Sequence, residues 1–264
     1  MPTVTVQGVP VEHFQSGRGP GLLLIHSLLT DATVFEEVLP ALEAGHRVTR
    51  INLPGFGGSG ARRLATVGDW ADHVALAMDA LALDRTTTVF GNGFGAFVAL
   101  ELAIRHGARF GGLIVADVVP AFPEPARAPF RGMAGRVRES GMQAVLDTAI
   151  GRMFPPEFQA HHADVVARRK ERLAVVDAEC FAQACLGLAQ LDLTAALPSI
   201  RNRTLVMCGA LDRTTPPELA RAVAEAIPGA TYREIADSGH CPMLEQPGAL
   251  VAAMQAFARE RVGA

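Results

Sequence analysis

Three short stretches of this 264-residue sequence carry side chains or backbone that can act together on a carbonyl group. The first is Gly91-Asn92-Gly93-Phe94-Gly95. It follows the β-branched, apolar run Thr86 to Phe90 and leads into a helical stretch, Gly95 to His106. Strand, tight turn and helix form the frame of the G-x-S-x-G elbow, which presents a nucleophile on a strained turn. Here the central residue, Gly93, is a glycine. It relieves a strain that costs a residue with a β-carbon about 1–3 kcal/mol, but it has no oxygen to attack with. The second stretch is Gly209-Ala210-Leu211-Asp212 and the third is Asp237-Ser238-Gly239-His240-Cys241-Pro242. Each follows an apolar strand, so Asp212 and His240 fall at C-terminal strand ends, where open α/β sheets place their sites. Alone, a loop aspartate caps a turn and a loop histidine meets solvent. In the order elbow, Asp, His they read as a catalytic pair, with the carboxylate orienting an imidazole that moves a proton.

Around this pair the sequence offers accessories. Ile25-His26-Ser27-Leu28-Leu29 follows the buried run Leu22 to Ile25. Backbone N–H groups of Leu28 and Phe94 are expected to polarise a substrate oxygen. His26 reads as a structural histidine that bonds loop backbone. Ser27, Asn92 and Cys241 are candidate substrate-facing residues, and Asn92 reads equally well as a loop brace. Cys241 follows His240 directly, a poor arrangement for a substitute nucleophile. Asp117 ends a strand and reads as a loop brace, with a second acid as the alternative. His161-His162 has no third ligand at metal-like spacing, so no metal is expected. Arg168-Arg169-Lys170-Glu171-Arg172 reads as a solvated helix face. Gly91-x-Gly93-x-Gly95 lacks the G-x-G-x-x-G spacing of a dinucleotide loop, and no cofactor is expected.

The elements that must hold these residues alternate. Strands are expected at Thr3 to Val6, Val9 to Phe14, Leu22 to Ile25, Arg47 to Asn52, Thr86 to Phe90, Leu113 to Ala116, Thr204 to Cys208 and Thr231 to Ile235. Helices are expected at Thr33 to Leu42, Val67 to Leu81, Gly95 to His106, Pro217 to Ala226 and Gly248 to Arg261. Such alternation predicts an α/β fold, a mostly parallel doubly wound sheet with helices on both faces. From Pro120 to about Pro198 no strand is expected. Pro120, Pro123, Pro125 and Pro129 form an irregular lead-in to helical stretches at Met133 to Glu139, Met142 to Arg152, Ala163 to Val176 and Ala178 to Leu191. The division is a core of residues 1–119 and 198–264 and a helical cap of residues 120–197. Phe130, Met133, Met153, Phe154 and Phe158 line the cleft or pack the cap core.

Composition narrows the partners. The formal net charge is -3 with no basic patch, which argues against nucleic acid. No apolar run is long enough for a membrane span and Met1-Pro2-Thr3-Val4 does not open a signal peptide, so a cytoplasmic protein is expected. The four cysteines, Cys180, Cys185, Cys208 and Cys241, lack paired spacing and read as reduced thiols. The expected partner is a small-molecule substrate. Oligomeric state is unreadable.

At these residues the chain resembles the α/β-hydrolase superfamily, and is most similar to the 3-oxoadipate enol-lactonases and related small-ester hydrolases. The resemblance rests on His26-Ser27-Leu28, Leu53-Pro54-Gly55-Phe56-Gly57-Gly58-Ser59, the elbow, Gly209-Ala210-Leu211-Asp212 and Ser238-Gly239-His240-Cys241-Pro242-Met243-Leu244-Glu245-Gln246-Pro247. It spans nearly the whole chain and implies an α/β-hydrolase fold with a specificity-setting cap. The Gly91-Asn92 opening also resembles carbon–carbon bond hydrolases of meta-cleavage pathways, although Cys241 stands where those carry an aromatic. Gly93 is the main departure, because it stands at the nucleophilic serine. Three functions stay open. One is His-Asp general-base chemistry on a small carbonyl substrate, hydrolytic or lyase-like, without a covalent step. Another is a serine-dependent esterase, lactonase or C–C hydrolase carrying a Ser-to-Gly change at 93. The last is a non-catalytic ligand-binding protein.

Overall fold

The computed structural model describes residues 2–260. β1 (Thr3–Val6) and β2 (Val9–Gly17) form an antiparallel hairpin. β3 (Gly21–Ile25) and β4 (Arg47–Ile51) follow, with α1 (Leu39–Glu43) between them. Then come α2 (Val67–Ala80), β5 (Thr88–Asn92), α3 (Phe94–His106) and β6 (Gly112–Ala116). Five helices precede the next strand: α4 (Glu124–Ser140), α5 (Leu146–Met153), α6 (Pro156–His161), α7 (Ala163–Ala174) and α8 (Ala178–Gln190). β7 (Arg203–Gly209), α9 (Pro217–Ala226), β8 (Thr231–Ile235), α10 (Pro242–Glu245) and α11 (Pro247–Arg259) complete the order. Arg261, assigned by sequence to the last helix, lies outside the described residues.

The eight strands form one sheet in the order β1-β2-β4-β3-β5-β6-β7-β8. Every pair from β4 to β8 is parallel. β3 and β6 are buried at every position, because helices cover both faces. The chain leaves β3 toward β4 and returns on the other side at β5, so the order reverses at the β3–β5 pair. A reversal opens a crevice beyond the strand ends, and there the loops after β3 and β5 meet.

Local departures from expectation have backbone causes. Thr33 to Leu42 is a 3₁₀ turn over Ala32–Val38 followed by the short α1. Pro40 sits in the first turn of α1 and lacks the N–H that would continue a single helix. Pro125 and Pro129 do not form an irregular lead-in. α4 runs through both, with Pro125 in the first turn where its missing N–H costs no bond. Among the described residues no single helix is long and apolar enough to cross a membrane.

The basic run on α7 is a solvated face only in part: Arg168 and Glu171 are exposed, but Arg169 and Arg172 turn inward. Arg169 is 4% exposed, and with Arg172 it pairs with Asp31, at 3.5 Å and 2.8 Å. Arg169 also donates to Thr33 Oγ1 at 3.0 Å. Residues 169 and 172 share one helix face, and that face meets an acid buried at the end of the β3 loop. This ion pair ties the helical insertion to the sheet. Burial pushes the Asp31 carboxyl up, but the Thr33 hydroxyl and the charges of Arg172 and Arg169 outweigh it, and the group is held below its ordinary range. Asp31→Ala is expected to cost about 3–5 kcal/mol, because it strands a buried guanidinium. Urea unfolding checks this. In the parent the contribution is present above the unfolded carboxylate value and lost as pH falls through the folded one, so the gap between parent and variant closes in acid. A gap constant down to strongly acidic pH contradicts the assignment.

Candidate active site

The elbow forms where β5 passes into α3 with one residue between them. Gly93 holds φ 52° and ψ −119°, a region that side chains other than glycine enter only under strain. A β-carbon on Gly95 would meet the carbonyl oxygens of Ile25 and His26, and one on Gly91 the carbonyl of Gly95. Both glycines are required by close approach, so α3 starts hard against the end of β3. The Gly93 N–H donates to the Ala116 carbonyl at 3.0 Å, which pins the turn to β6.

Asp212 and His240 are brought together from the loops after β7 and β8. His240 Nδ1 lies 2.8 Å from Asp212 Oδ2. Asp212 is held by its own turn: Oδ1 accepts from the Thr214 and Thr215 N–H groups at 2.7 Å and 3.1 Å, and Oδ2 from the Thr215 hydroxyl at 2.5 Å. The His240 N–H donates to the Met153 carbonyl at 3.2 Å, which joins the loop to α5. With Nδ1 donating to Asp212, the neutral imidazole presents a lone pair at Nε2. Nε2 has no hydrogen-bond partner among the described residues, and it faces the elbow. A β-carbon built on Gly93 would lie 2.9 Å from it and in contact with Ser27 Oγ. The Ser27 hydroxyl, also without a hydrogen bond among the described residues, thus stands in the space a side chain at 93 would use.

These atoms wall a cavity of about 30 Å³, roofed by Phe130 and Met133 of α4. That is room for a bound water. Leu28 and Phe94 line the same cavity. Phe94 is the first residue of α3, so its N–H has no partner within the helix. Neither its N–H nor that of Leu28 donates to an acceptor among the described residues. A wider cleft of about 450 Å³ opens beside this cavity, lined by Met153 and Phe154 of the insertion, by Arg213, and by Asp212 and His240. Phe158 does not reach the cleft and stacks between Phe154 and His162. His161 and His162 are exposed.

His26 is structural. Its Nδ1 lies 2.8 Å from the Ser27 carbonyl and its Nε2 accepts from the Leu53 N–H at 3.0 Å. Burial lowers its pKa to about 4, so it stays neutral while it fixes the loop that carries Leu28. Of the two readings of Asn92 the structure shows the brace, and the substrate-facing reading of Cys241 fails. Asn92 does not face substrate: it is fully buried, and its amide donates to Asp117 Oδ2 at 2.6 Å and to the His240 carbonyl at 3.2 Å. Side chains alternate along a strand, and the turn at Gly93 leaves Asn92 beneath the site. Cys241 does not face substrate either. It is fully buried at the head of α10 and contributes nothing to the cavity wall. All four cysteines are buried, free thiols.

Two further residues stand at the site: Asp117, expected as a loop brace or a second acid, and Arg152, which carried no sequence signal. Asp117 is fully buried at the end of β6, with a backbone φ of 63°. It braces Asn92 and accepts from the Gly209 N–H at 3.0 Å, yet it also stands close to the pair: ligand-type atoms of Asp117, Asp212 and His240 all lie within 4.8 Å of one another. All four carboxylate oxygens already accept from N–H or O–H donors, a donor set that suits proton sharing better than a cation. Burial and the charge of Asp212 push Asp117 well above the usual carboxylate range. The other residue is Arg152 of α5, which lines both the cavity and the cleft.

Burial pulls the His240 imidazole down, but the charge and hydrogen bond of Asp212, with Asp117 behind, outweigh it, and the net direction is up. A base works in its neutral form, so a raised value moves the acid limb of kcat/KM above the ordinary imidazole value of about 6.5. In Asp212→Asn the limb is expected to move toward lower pH while the plateau falls about 10²–10⁴-fold, since the wrong tautomer is favoured. A pH–rate profile on an aryl ester reads both. An unmoved limb assigns it to another group.

The model of the alpha/beta hydrolase fold family matches residues 20–247. The chain is 29% identical over 260 residues to 3-oxoadipate enol-lactonase 2 of Acinetobacter baylyi, covering 96% of this chain and 95% of that protein. It is 30% identical over 262 residues to the polyketide synthase ThaQ of Burkholderia thailandensis, covering 97% of this chain but 12% of that much longer protein. The enol-lactonase structure from Burkholderia xenovorans LB400 superposes with a TM-score of 0.92 at 26% identity, over 98% of this chain and 100% of that one. With sheet order, elbow and matched length in agreement, the chain is a hydrolase belonging to the alpha/beta hydrolase fold family.

Proposed function

We propose that this protein hydrolyses a small ester or enol-lactone by general-base attack of water, with no acyl-enzyme. The observation that carries the reading is the unpartnered Nε2 of His240, aimed into a water-sized space over Gly93. In this reaction the substrate carbonyl oxygen takes the Leu28 and Phe94 N–H groups, and a water sits between His240 Nε2 and Ser27 Oγ. His240 removes a proton from the water as its oxygen bonds to the carbonyl carbon. The oxyanion collapses, the C–O bond to the leaving group breaks, and the imidazolium, steadied by Asp212, returns the proton to that oxygen. The products are a carboxylic acid and an alcohol or enol.

Magnitudes narrow the substrate. A positioned general base contributes about 10²–10⁴-fold and an oxyanion donor about 10²–10³-fold. Without a covalent nucleophile this suits a carbonyl with a good leaving group. Enol-lactones and aryl esters qualify, because their leaving groups are an enolate and a phenolate. The matches to enol-lactonases favour the first. The crowding above Gly93 favours a site fitted to glycine over a serine site that lost its side chain, since a β-carbon there would displace Ser27 and press on His240.

Stopped-flow hydrolysis of p-nitrophenyl acetate, with mass spectrometry of the quenched protein, tests the proposal. Turnover without a stoichiometric burst and without an acetyl adduct is expected. An adduct on any residue overturns the mechanism, and binding with no turnover of aryl esters or lactones favours a non-catalytic protein.

A further inference from the structure

Arg152 stands where the cavity over Gly93 meets the 450 Å³ cleft, and it lines both. Its guanidinium lies 4.9 Å from the centroid of the Phe130 ring. Among the described residues it makes no hydrogen bond or ion pair through its side chain. Arg213, exposed and lining the same cleft, makes none either. Other arginines of the chain meet acids: Arg169 and Arg172 reach Asp31, Arg138 reaches Glu179, and Arg105 reaches Asp72. Among the described residues the only carboxylate lining the cleft is Asp212, and its oxygens are occupied by His240, Thr214 and Thr215.

A half-buried guanidinium without a hydrogen-bonded partner is unfavourable, because burial strips water from a cation and the nearby charge of Asp212 offsets that loss only in part. Desolvation accordingly lowers the Arg152 value. The half-buried Arg152 and the exposed Arg213 line one cleft and, in a chain of net charge -3, form a local positive field beside the reacting histidine. Guanidinium groups pair with planar oxyanions through two parallel N–H···O bonds.

We infer that the outer cleft is an anion subsite, and that the substrate is an ester or lactone carrying a carboxylate, held by Arg152 with Arg213 at the rim. The inference rests on the reaction proposed above only for naming the substrate as an ester or lactone. The anion seats in the cleft while the carbonyl reaches the Leu28 and Phe94 N–H groups. Holding the far end of the substrate fixes the near end, so the charge supplies orientation as well as affinity.

Binding of a non-hydrolysable pair, levulinate and neutral butanone, measured by calorimetry at low salt, tests the subsite without turnover. Levulinate is expected to bind at least about tenfold more tightly, with a preference that shrinks as salt rises. Arg152→Met is expected to bring the ratio to about one, Arg213→Met to lower it by less, and Arg152→Lys to retain part of it. Retention in the lysine variant separates loss of charge from damage to packing. Displacement of levulinate by inorganic phosphate extends the subsite to oxyanions in general, and failure to displace it assigns the subsite to carboxylates. Equal binding of the two ketones, or a preference that survives Arg152→Met together with Arg213→Met, overturns the inference. A protein that binds levulinate selectively but turns over no ester retains the subsite and loses the proposed reaction.

Discussion

His240→Ala is expected to lower kcat/KM for an activated aryl ester by about 10²–10⁴-fold, the contribution of a positioned general base. Among the described residues the imidazole alone turns a free ring nitrogen to the space over Gly93 while a carboxylate holds its other nitrogen. The substitution leaves the Leu28 and Phe94 donors in place, so a residual rate from oxyanion stabilisation remains. It leaves Asp212 with three donors from Thr214 and Thr215, so the carboxylate is not orphaned and the fold survives. Groups that act as one unit are not additive. His240→Ala combined with Asp212→Ala is therefore expected to be little slower than His240→Ala alone. Initial rates for the three variants, with circular dichroism to confirm folding, decide the matter. A rate retained after both substitutions sinks the pair as the source of activity.

Gly93→Ser carries the second large effect, with opposite signs for stability and rate. The β-carbon must enter at φ 52°, at a cost of about 1–3 kcal/mol. For a chain of this size that is a fall in Tm of roughly 2–10 °C. Ser27 must also turn its hydroxyl away, and His240 must give by a few tenths of an ångström, because the new β-carbon starts 2.9 Å from Nε2. Once that space is made, the serine oxygen lies beside the base and next to the Phe94 N–H. An acyl-enzyme then becomes accessible, and a full Ser–His–Asp unit in a mature hydrolase is worth about 10⁶ in kcat. Only part of that is expected from a site packed around glycine: about 10²-fold on p-nitrophenyl acetate, with a burst of one nitrophenolate per chain. A stable variant with no burst shows that the elbow no longer presents residue 93 to the carbonyl. A burst with little loss of Tm points to a site built for serine.

The elbow, Asp212 and His240 were legible because their signals are local. Gly91-Asn92-Gly93-Phe94-Gly95 sits between a β-branched run and a helix, and Asp212 and His240 each follow an apolar strand. In a parallel sheet such positions end on one edge whatever lies between them. The strands were legible for the same reason, since burial on both faces writes a continuous apolar run. Helix limits were less so. Pro125 and Pro129 look like breakers in sequence, but Pro125 sits in the first turn, where its missing N–H costs no bond, and α4 runs on through Pro129 in its interior at the loss of one backbone bond.

Side-chain direction across distant elements is a tertiary matter. Arg169 reads as one cation in a charged run, and only the docking of α7 shows it buried with Asp31 and bonded to Thr33, 136 positions away. Asn92 and Cys241 neighbour the reacting residues in the chain but lie beneath the site, because a strand and a turn send successive side chains to opposite sides. Asp117 joins the pair through Gly209, 92 positions away. Arg152 faces the cleft without a partner only because α5 packs where it does. The kinds of groups at the strand ends were set by the sequence alone, since periodicity and the order of motifs along the chain are local properties. Which groups share the space over Gly93, and which are neutralised on the way, was decided by packing, because contact and burial depend on elements far apart in the chain.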